Sequence, residues 1–273
     1  MLDLSHHKYV FDTTGVTVAR DLIPAATWRQ MTGLLESHYK GIENAPWKFP
    51  VMHLGRQFWE CVTNSFVLDM CKEFCGEHFR LDHAFGLSSN GAIAQLHGGP
   101  QSSQHSCFYH PTPNSGRLAI CGQLNFGICI QGQNPTTGGF AYVPGSHKQS
   151  NSAAGREILA EIYGNFFDHP SIVVPTLAPG DVLVFTEALI HGDTGWKGPK
   201  MSPRVQVYYK MTPGWMCWRD PRESYELLEK YAQTPLERAM IEPPWTGRYT
   251  EDSHRMGVDN ERRKPTREER HTP

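Results

Sequence analysis

Two stretches decide how this chain folds: Gly138-Gly-Phe-Ala-Tyr-Val-Pro-Gly-Ser-His-Lys148 and Pro179-Gly-Asp-Val-Leu-Val-Phe-Thr-Glu-Ala-Leu-Ile-His-Gly192. Each is a short apolar run punctuated by Pro-Gly, the composition of a strand entering or leaving a tight turn. Similar runs recur on both sides: FRLDHAFGL (79–87), AIAQLHGG (92–99), RLAICGQLNFGICIQ (117–131), SIVVPTL (171–177) and RVQVYYKMTP (204–213). Many short strands separated by Gly, Pro and Asn predict a sandwich or barrel, so the fold class is mainly β. The N-terminal part reads differently. GVTVARDLIP suggests a short strand, after which apolar residues at helical spacing predict helices over 25–39 and 64–77. Further helices are expected at 154–163 and 221–232. The aromatic, proline-bearing stretch 44–60 reads as a loop covering a site, with Arg56 and Trp59 as substrate contacts.

Composition narrows the function. The chain has 273 residues, 39% of them apolar and 20% charged, with a net charge of −2. It is long enough to bury a large core, and no linker divides it, so one domain over 1–273 is expected, with a charged tail from about 251. A near-neutral balance argues against a nucleic-acid polymer as partner. No run of 18 apolar residues marks a membrane span, and the start lacks the pattern of a signal peptide. The seven Cys form no Cys-x-x-Cys pair. They read as reduced, mostly buried thiols, in keeping with a cytoplasmic protein. Fourteen His, by contrast, invite a search for metal ligands.

Two of those His stand at the ends of strand-like runs. His97 closes AIAQLHGG, and His191 follows Pro179–Ile190. Thirteen residues after His191, Arg204 opens the last strand-like run. A Gly-Gly strand ending in Pro-Gly-Ser-His-Lys, then Pro-Gly-Asp to His-Gly, then Arg resembles the phytanoyl-CoA dioxygenase-like branch of the Fe(II)/2-oxoglutarate oxygenases. The resemblance covers about residues 8–215 and implies a double-stranded β-helix, or jelly roll, with flanking α-helices. It makes His191 the distal iron ligand. It makes Arg204 the anchor for the far carboxylate of 2-oxoglutarate, a task suited to a planar fork of N–H donors. Fe(II), 2-oxoglutarate and O2 are the implied cofactors.

The proximal half of that site departs from the family pattern, which has His-x-Asp or His-x-Glu. The available sequences are His97-Gly-Gly99, His105-Ser-Cys107 and His110-Pro-Thr112, and no Asp or Glu occurs between His83 and Arg156. A carboxylate would have to come from elsewhere, such as Asp82 or Asp193. His97 is the favoured ligand, with Gly99 in the place of the carboxylate. His-x-Gly resembles the halogenases of this superfamily, where the small residue leaves an iron position for chloride. The expectation is therefore a halogenase, with chloride bound beside Gly99, acting on an unactivated C–H bond of a small molecule. A hydroxylase with an atypical triad and a non-catalytic metal- or ligand-binding jelly roll are the alternatives.

Strand alternation puts Gln95 on the face of His97, and Gln206 and Tyr208 on the face of Arg204. Gln95 and Gln206 are accordingly candidates for contact with 2-oxoglutarate. Thr194, Trp196, His105, Phe108 and Arg117 are candidates on the substrate side, because aromatic faces with basic groups can stack a base and hold a phosphate. One phytanoyl-like halogenase class chlorinates the sugar of 2′-deoxyadenosine monophosphate, so a nucleotide monophosphate is the suggested substrate. Oligomeric state is not legible. His147 is expected to bond loop backbone, and Asp181 to close the turn before its strand.

Overall fold

A computed structural model describes residues 3–89, 94–99, 108–112, 116–148, 153–165, 168–218 and 221–244. The chain runs α1 (Leu4–Thr14), β1 (Val16–Ala19), α2 (Ala25–Tyr39), β2 (Lys48–Phe49), α3 (Arg56–Val62), α4 (Ser65–Cys75), β3 (Phe79–Ser89), β4 (Ala94–His97), β5 (Tyr109–Pro111), β6 (Ala119–Cys121), β7 (Leu124–Gln131), β8 (Phe140–Tyr142), α5 (Ala153–Gly164), β9 (Val182–Thr186), β10 (His191–Asp193), β11 (Arg204–Pro213), α6 (Pro221–Glu229) and α7 (Pro235–Ile241). The charged tail from 251 lies outside the described residues.

Six strands form one antiparallel sheet in the order β1-β9-β7-β11-β3-β2, and three form a second in the order β4-β10-β8. From β3 onward the chain passes back and forth between them: β3, β7, β9 and β11 lie in the large sheet, β4, β8 and β10 in the small one. This winding is the jelly roll expected from the sequence. SIVVPTL is the exception, since it contributes only isolated bridges, Val173 to Tyr142 and Leu177 to Gln133. Pro175 has no N–H for a ladder, which accounts for the lack of a longer strand.

The alternation along β11 separates two interiors. Val205, Val207, Tyr209 and Met211 join the larger core with the helices. Arg204, Gln206, Tyr208 and Lys210 are the alternate residues, on the face turned to the second sheet. Both faces of the large sheet are thus covered. On the helical side, α2 contributes Met31 and Leu35, one turn apart, and α4 contributes Val67, Met70, Cys71, Phe74 and Cys75 on one stripe. Asn64 caps α4 by accepting the Phe66 N–H at 3.0 Å. Burying side chains of this size stabilises by about 1.5–3 kcal/mol each before the entropy of ordering is counted.

Residues 44–60 do not form a covering loop. Lys48–Phe49 pairs with the edge of β3, and α3 drives Phe58 and Trp59 into the core. Trp59 Nε1 donates to Met52 O at 3.0 Å, and Arg56 pairs with Glu237 of α7. Both side chains are therefore structural. The helix α7 escaped the sequence reading, although Thr234 and Glu237 form a capping box with Pro235 just inside it.

Candidate active site at the junction of the two sheets

The site begins with strand register. His97 and His191 are direct cross-strand partners in the β4–β10 pair, and their ring centroids lie 4.2 Å apart. Each ring is aimed in the same way: Nδ1 donates to the carbonyl two residues earlier, Gln95 O at 2.9 Å for His97 and Leu189 O at 2.7 Å for His191. Fixing the N–H on Nδ1 leaves both Nε2 atoms as lone-pair donors, the form a metal needs. Burial, with His97 nearby, depresses His191 to about 3, so that imidazole stays neutral. Phe185 and Phe140 pack against its ring, at 4.8 and 5.7 Å between centroids.

A carboxylate that the sequence reading missed completes this group. One ligand atom each from His97, Glu187 and His191 lie within 4.8 Å of one another. The run 181–192 reads as one strand, but it breaks after Thr186. There Leu189 N donates to Thr186 O at 3.0 Å, and Glu187 N to Gln123 O at 2.9 Å. The turn brings Glu187 back beside His191. Glu187 Oε2 accepts hydrogen bonds from Lys210 Nζ at 2.7 Å and Asn125 Nδ2 at 2.9 Å. Burial alone would raise this carboxyl group, but Lys210 and the two imidazoles outweigh it and hold it well below the usual carboxylate range. A single acid inside VLVFTEALI and a single base inside VQVYYKM were the available signals, since a lone charge in a buried strand needs a partner.

The two sequence motifs serve this turn. Ser146 of the Pro-Gly-Ser-His-Lys segment accepts the Ile190 N–H at 2.8 Å and donates to Val143 O at 2.7 Å, fixing the approach to His191. His147 bonds backbone, but that of a helix and not of a loop, with Nε2 donating to Asp12 O in the last turn of α1 at 3.1 Å. Asp181 does close its turn, accepting from Ala178 N at 2.9 Å. Gly98 and Gly99 both have positive φ, +83° and +79°. Gly99 N donates to Ala188 O at 2.9 Å, so the two turns clasp each other. A Cβ on Gly99 would lie 2.7 Å from Ile190 Cγ1.

Arg204 is buried at the start of β11, and all of its N–H donors are engaged. Nε and Nη2 donate to Ser89 Oγ at 3.2 and 2.9 Å, and Nη1 to Gln133 Oε1 at 3.1 Å and Gln206 Oε1 at 2.8 Å. Nη2 also pairs with Asp193, which commits one of the two carboxylates considered for the metal. The other, Asp82, is held by Arg80, His83 and Trp218 N. Gln206 Nε2 is buried without a hydrogen-bond partner among the described residues. Gly139, at φ +122°, gives Arg204 its room, because a Cβ there would come 2.9 Å from Arg204 Cδ.

The remaining sequence candidates are scattered. Gln95 is exposed, and its carbonyl, which aims His97, is the part engaged. Thr194 Oγ1 accepts from Gly139 N at 2.9 Å, tying β10 to β8. Trp196 Nε1 donates to Pro199 O at 3.2 Å. Phe108 stacks on His110 and runs parallel to Trp215, with centroids 5.1 and 6.3 Å apart. Arg117 lies near Gly76, on the α4 side, and His105 is outside the described residues.

Known proteins bear on this geometry in three ways. A search of curated proteins returns no match. The crystal structure of HygX from Streptomyces hygroscopicus with nickel and 2-oxoglutarate bound superposes with a TM-score of 0.66 at 22% identity, covering 80% of this chain and 90% of that one. EctD from S. alaskensis, solved with 2-oxoglutarate and 5-hydroxyectoine, gives a TM-score of 0.57 at 17% identity, covering 77% and 76%. At these identities the likeness is one of fold. The sequence itself matches the family model described as phytanoyl-CoA dioxygenase over residues 11–201. The chain belongs to the phytanoyl-CoA dioxygenase family.

Proposed function

We propose that the protein is an Fe(II)- and 2-oxoglutarate-dependent oxygenase that hydroxylates an unactivated C–H bond of a small molecule. The observation that carries this reading is the group of two imidazoles and one carboxylate, His97, His191 and Glu187, at the junction of the sheets. Two His and a carboxylate with open positions suit non-haem Fe(II). When bound together, iron, 2-oxoglutarate and O2 supply the oxidising power, with release of CO2 and succinate. The protein's residues bind, aim and shield. His97 and His191 present Nε2 because their Nδ1 atoms are tied to backbone. Phe140 and Phe185 keep water from the His191 side. Arg204 would anchor the far carboxylate of 2-oxoglutarate by exchanging one of its present partners, Ser89, Gln133, Gln206 or Asp193, for it, and Gln206 Nε2, a buried donor beside the guanidinium with no partner among the described residues, supports an acceptor there. HygX has also been solved with hygromycin B and EctD with 5-hydroxyectoine, which supports a small-molecule substrate.

Chlorination is a second reading, favoured by the absence of a side chain at Gly99. In it, chloride takes the iron position that the missing carboxylate leaves. A nucleotide monophosphate is then the first substrate to try, with the Phe108, His110 and Trp215 rings as a face for the base. One experiment separates the readings. The protein is incubated with Fe(II), 2-oxoglutarate, O2 and chloride across nucleoside monophosphates, amino acids and small polar metabolites, with succinate and product mass recorded. A product gaining one oxygen supports hydroxylation, and one exchanging hydrogen for chlorine supports the second reading. Absence of succinate with every substrate, together with no Fe(II) binding, would sink both.

A further inference from the structure

Lys210 and Asn125 reach Glu187 from neighbouring strands of the large sheet, where they are register partners. Both of their hydrogen bonds fall on the same carboxylate oxygen, Oε2. Oε1 makes none among the described residues. Lys210 is itself nearly buried, and a buried ammonium without a counter-charge costs several kcal/mol, so Glu187 and Lys210 hold each other in place. The main chain of Glu187 is held as well, through Glu187 N to Gln123 O.

We propose that Glu187 replaces, as third protein ligand, the carboxylate missing two residues after His97, and that Lys210 and Asn125 are positioning residues that confine it to one oxygen. The proposal rests on the reading that iron is held at His97 and His191. Three observations carry it. Glu187 is the acid that shares a cluster with both imidazoles among the described residues. Asp193 and Asp82, the other nearby acids, are committed to Arg204 and to Arg80 with His83. A side chain at position 99 would run into Ile190, so the usual place for the carboxylate is closed by packing. Binding through one oxygen keeps positions open for 2-oxoglutarate and O2, whereas a two-oxygen carboxylate would take one of them. The competing account is a buried Glu187–Lys210 ion pair with no part in metal binding.

Co(II) alone, followed by its visible absorption during titration, distinguishes these. The wild type is expected to bind one Co(II), and H97A to lose it. Glu187→Gln should weaken binding about 10-fold or more and shift the absorption band, because a ligand is lost. Lys210→Met should shift the band with a smaller change in affinity, since Oε2, then held by Asn125 alone, can also reach the metal, and Lys210→Arg should restore the wild-type band. Glu187→Gln leaves Lys210 unpaired, so the doubly substituted E187Q/K210M, in which both charges are gone, serves as the folded control and must show the same loss. Wild-type affinity and band in E187Q would overturn the ligand assignment, and a wild-type band in K210M would overturn the positioning role. A wild type that binds no Co(II) would instead remove the metal reading beneath both.

Discussion

At the scale of single residues, His97, His191 and His147 obey one rule: each ring gives one N–H to a backbone carbonyl. The buried His147 shows a consequence for stability. Burial, with Lys148 alongside, lowers it to about 4 against the bond to Asp12 O that favours the charged form. The unfolded chain takes up a proton at about 6.5, so between these values the unfolded state binds more protons than the folded one. The His147 contribution is therefore fully present above about pH 6.5 and is lost as pH falls toward 4, by at most about 3 kcal/mol. In urea unfolding of metal-free protein, the stability advantage of wild type over His147→Gln should shrink across that window. A gap that stays constant from pH 7 to pH 4.5 would contradict it. Residues of this kind were half legible. His97, His191 and Arg204 stand at strand ends where a motif or a neighbouring glycine marks them. Glu187, Lys210 and Asn125 lie inside apolar runs, and their meeting depends on cross-strand register, which no single run contains.

At the scale of elements, the decisive feature is the turn between β9 and β10. Helices over 25–39 and 64–77 were readable because their periodicity is local, and α2 and α4 occupy Ala25–Tyr39 and Ser65–Cys75. The turn after Thr186 was not, because Glu-Ala-Leu-Ile continues the apolar composition of the strand before it. Its shape is set from outside, by Ser146 on Ile190, Gln123 on Glu187 and the Gly98–Gly99 turn against Ala188. Gly98 is the tightest of these contacts. Its φ is +83°, and a Cβ would lie 2.3 Å from Leu189 O and 2.8 Å from Glu187 O, both backbone atoms. Gly98→Ala should destabilise the protein by about 1–3 kcal/mol and weaken Co(II) binding, because the turn that seats Glu187 must move. Gly33, in α2 with nothing within 4 Å of its added Cβ, is the contrast. Gly33→Ala should stabilise by about 0.5–1 kcal/mol with metal binding unchanged. Equal effects of the two substitutions on Co(II) affinity would show that the Gly98 turn does not set the site.

Across the whole molecule, the large sheet divides structural from chemical work. Its helical face carries the apolar core of Trp59, Phe74, Phe126, Val207 and Tyr209, while its other face sets Arg204, Gln206, Tyr208 and Lys210 toward the small sheet that bears His97 and His191. No described helix is long and apolar enough to cross a membrane. Because β4 is about ninety residues from β10, and Glu187 follows β9 of the large sheet while both His lie in the small one, the His97–Glu187–His191 group forms only when the two sheets are assembled. Anything that binds it must then stabilise the entire fold by mass action. Ni(II) at about 100 times its dissociation constant should add about 2.7 kcal/mol, which for a chain of this length raises Tm by about 5 °C. In the Ni(II)-loaded protein, 2-oxoglutarate should raise Tm again. That second rise should vanish in Arg204→Ala, while the first persists, since Arg204 is not a metal ligand. His191→Ala should abolish both. Differential scanning calorimetry of the three proteins decides the matter: a wild-type Tm indifferent to Ni(II) removes the metal from this site, and a 2-oxoglutarate rise that survives in Arg204→Ala moves the anchor elsewhere on the inner face.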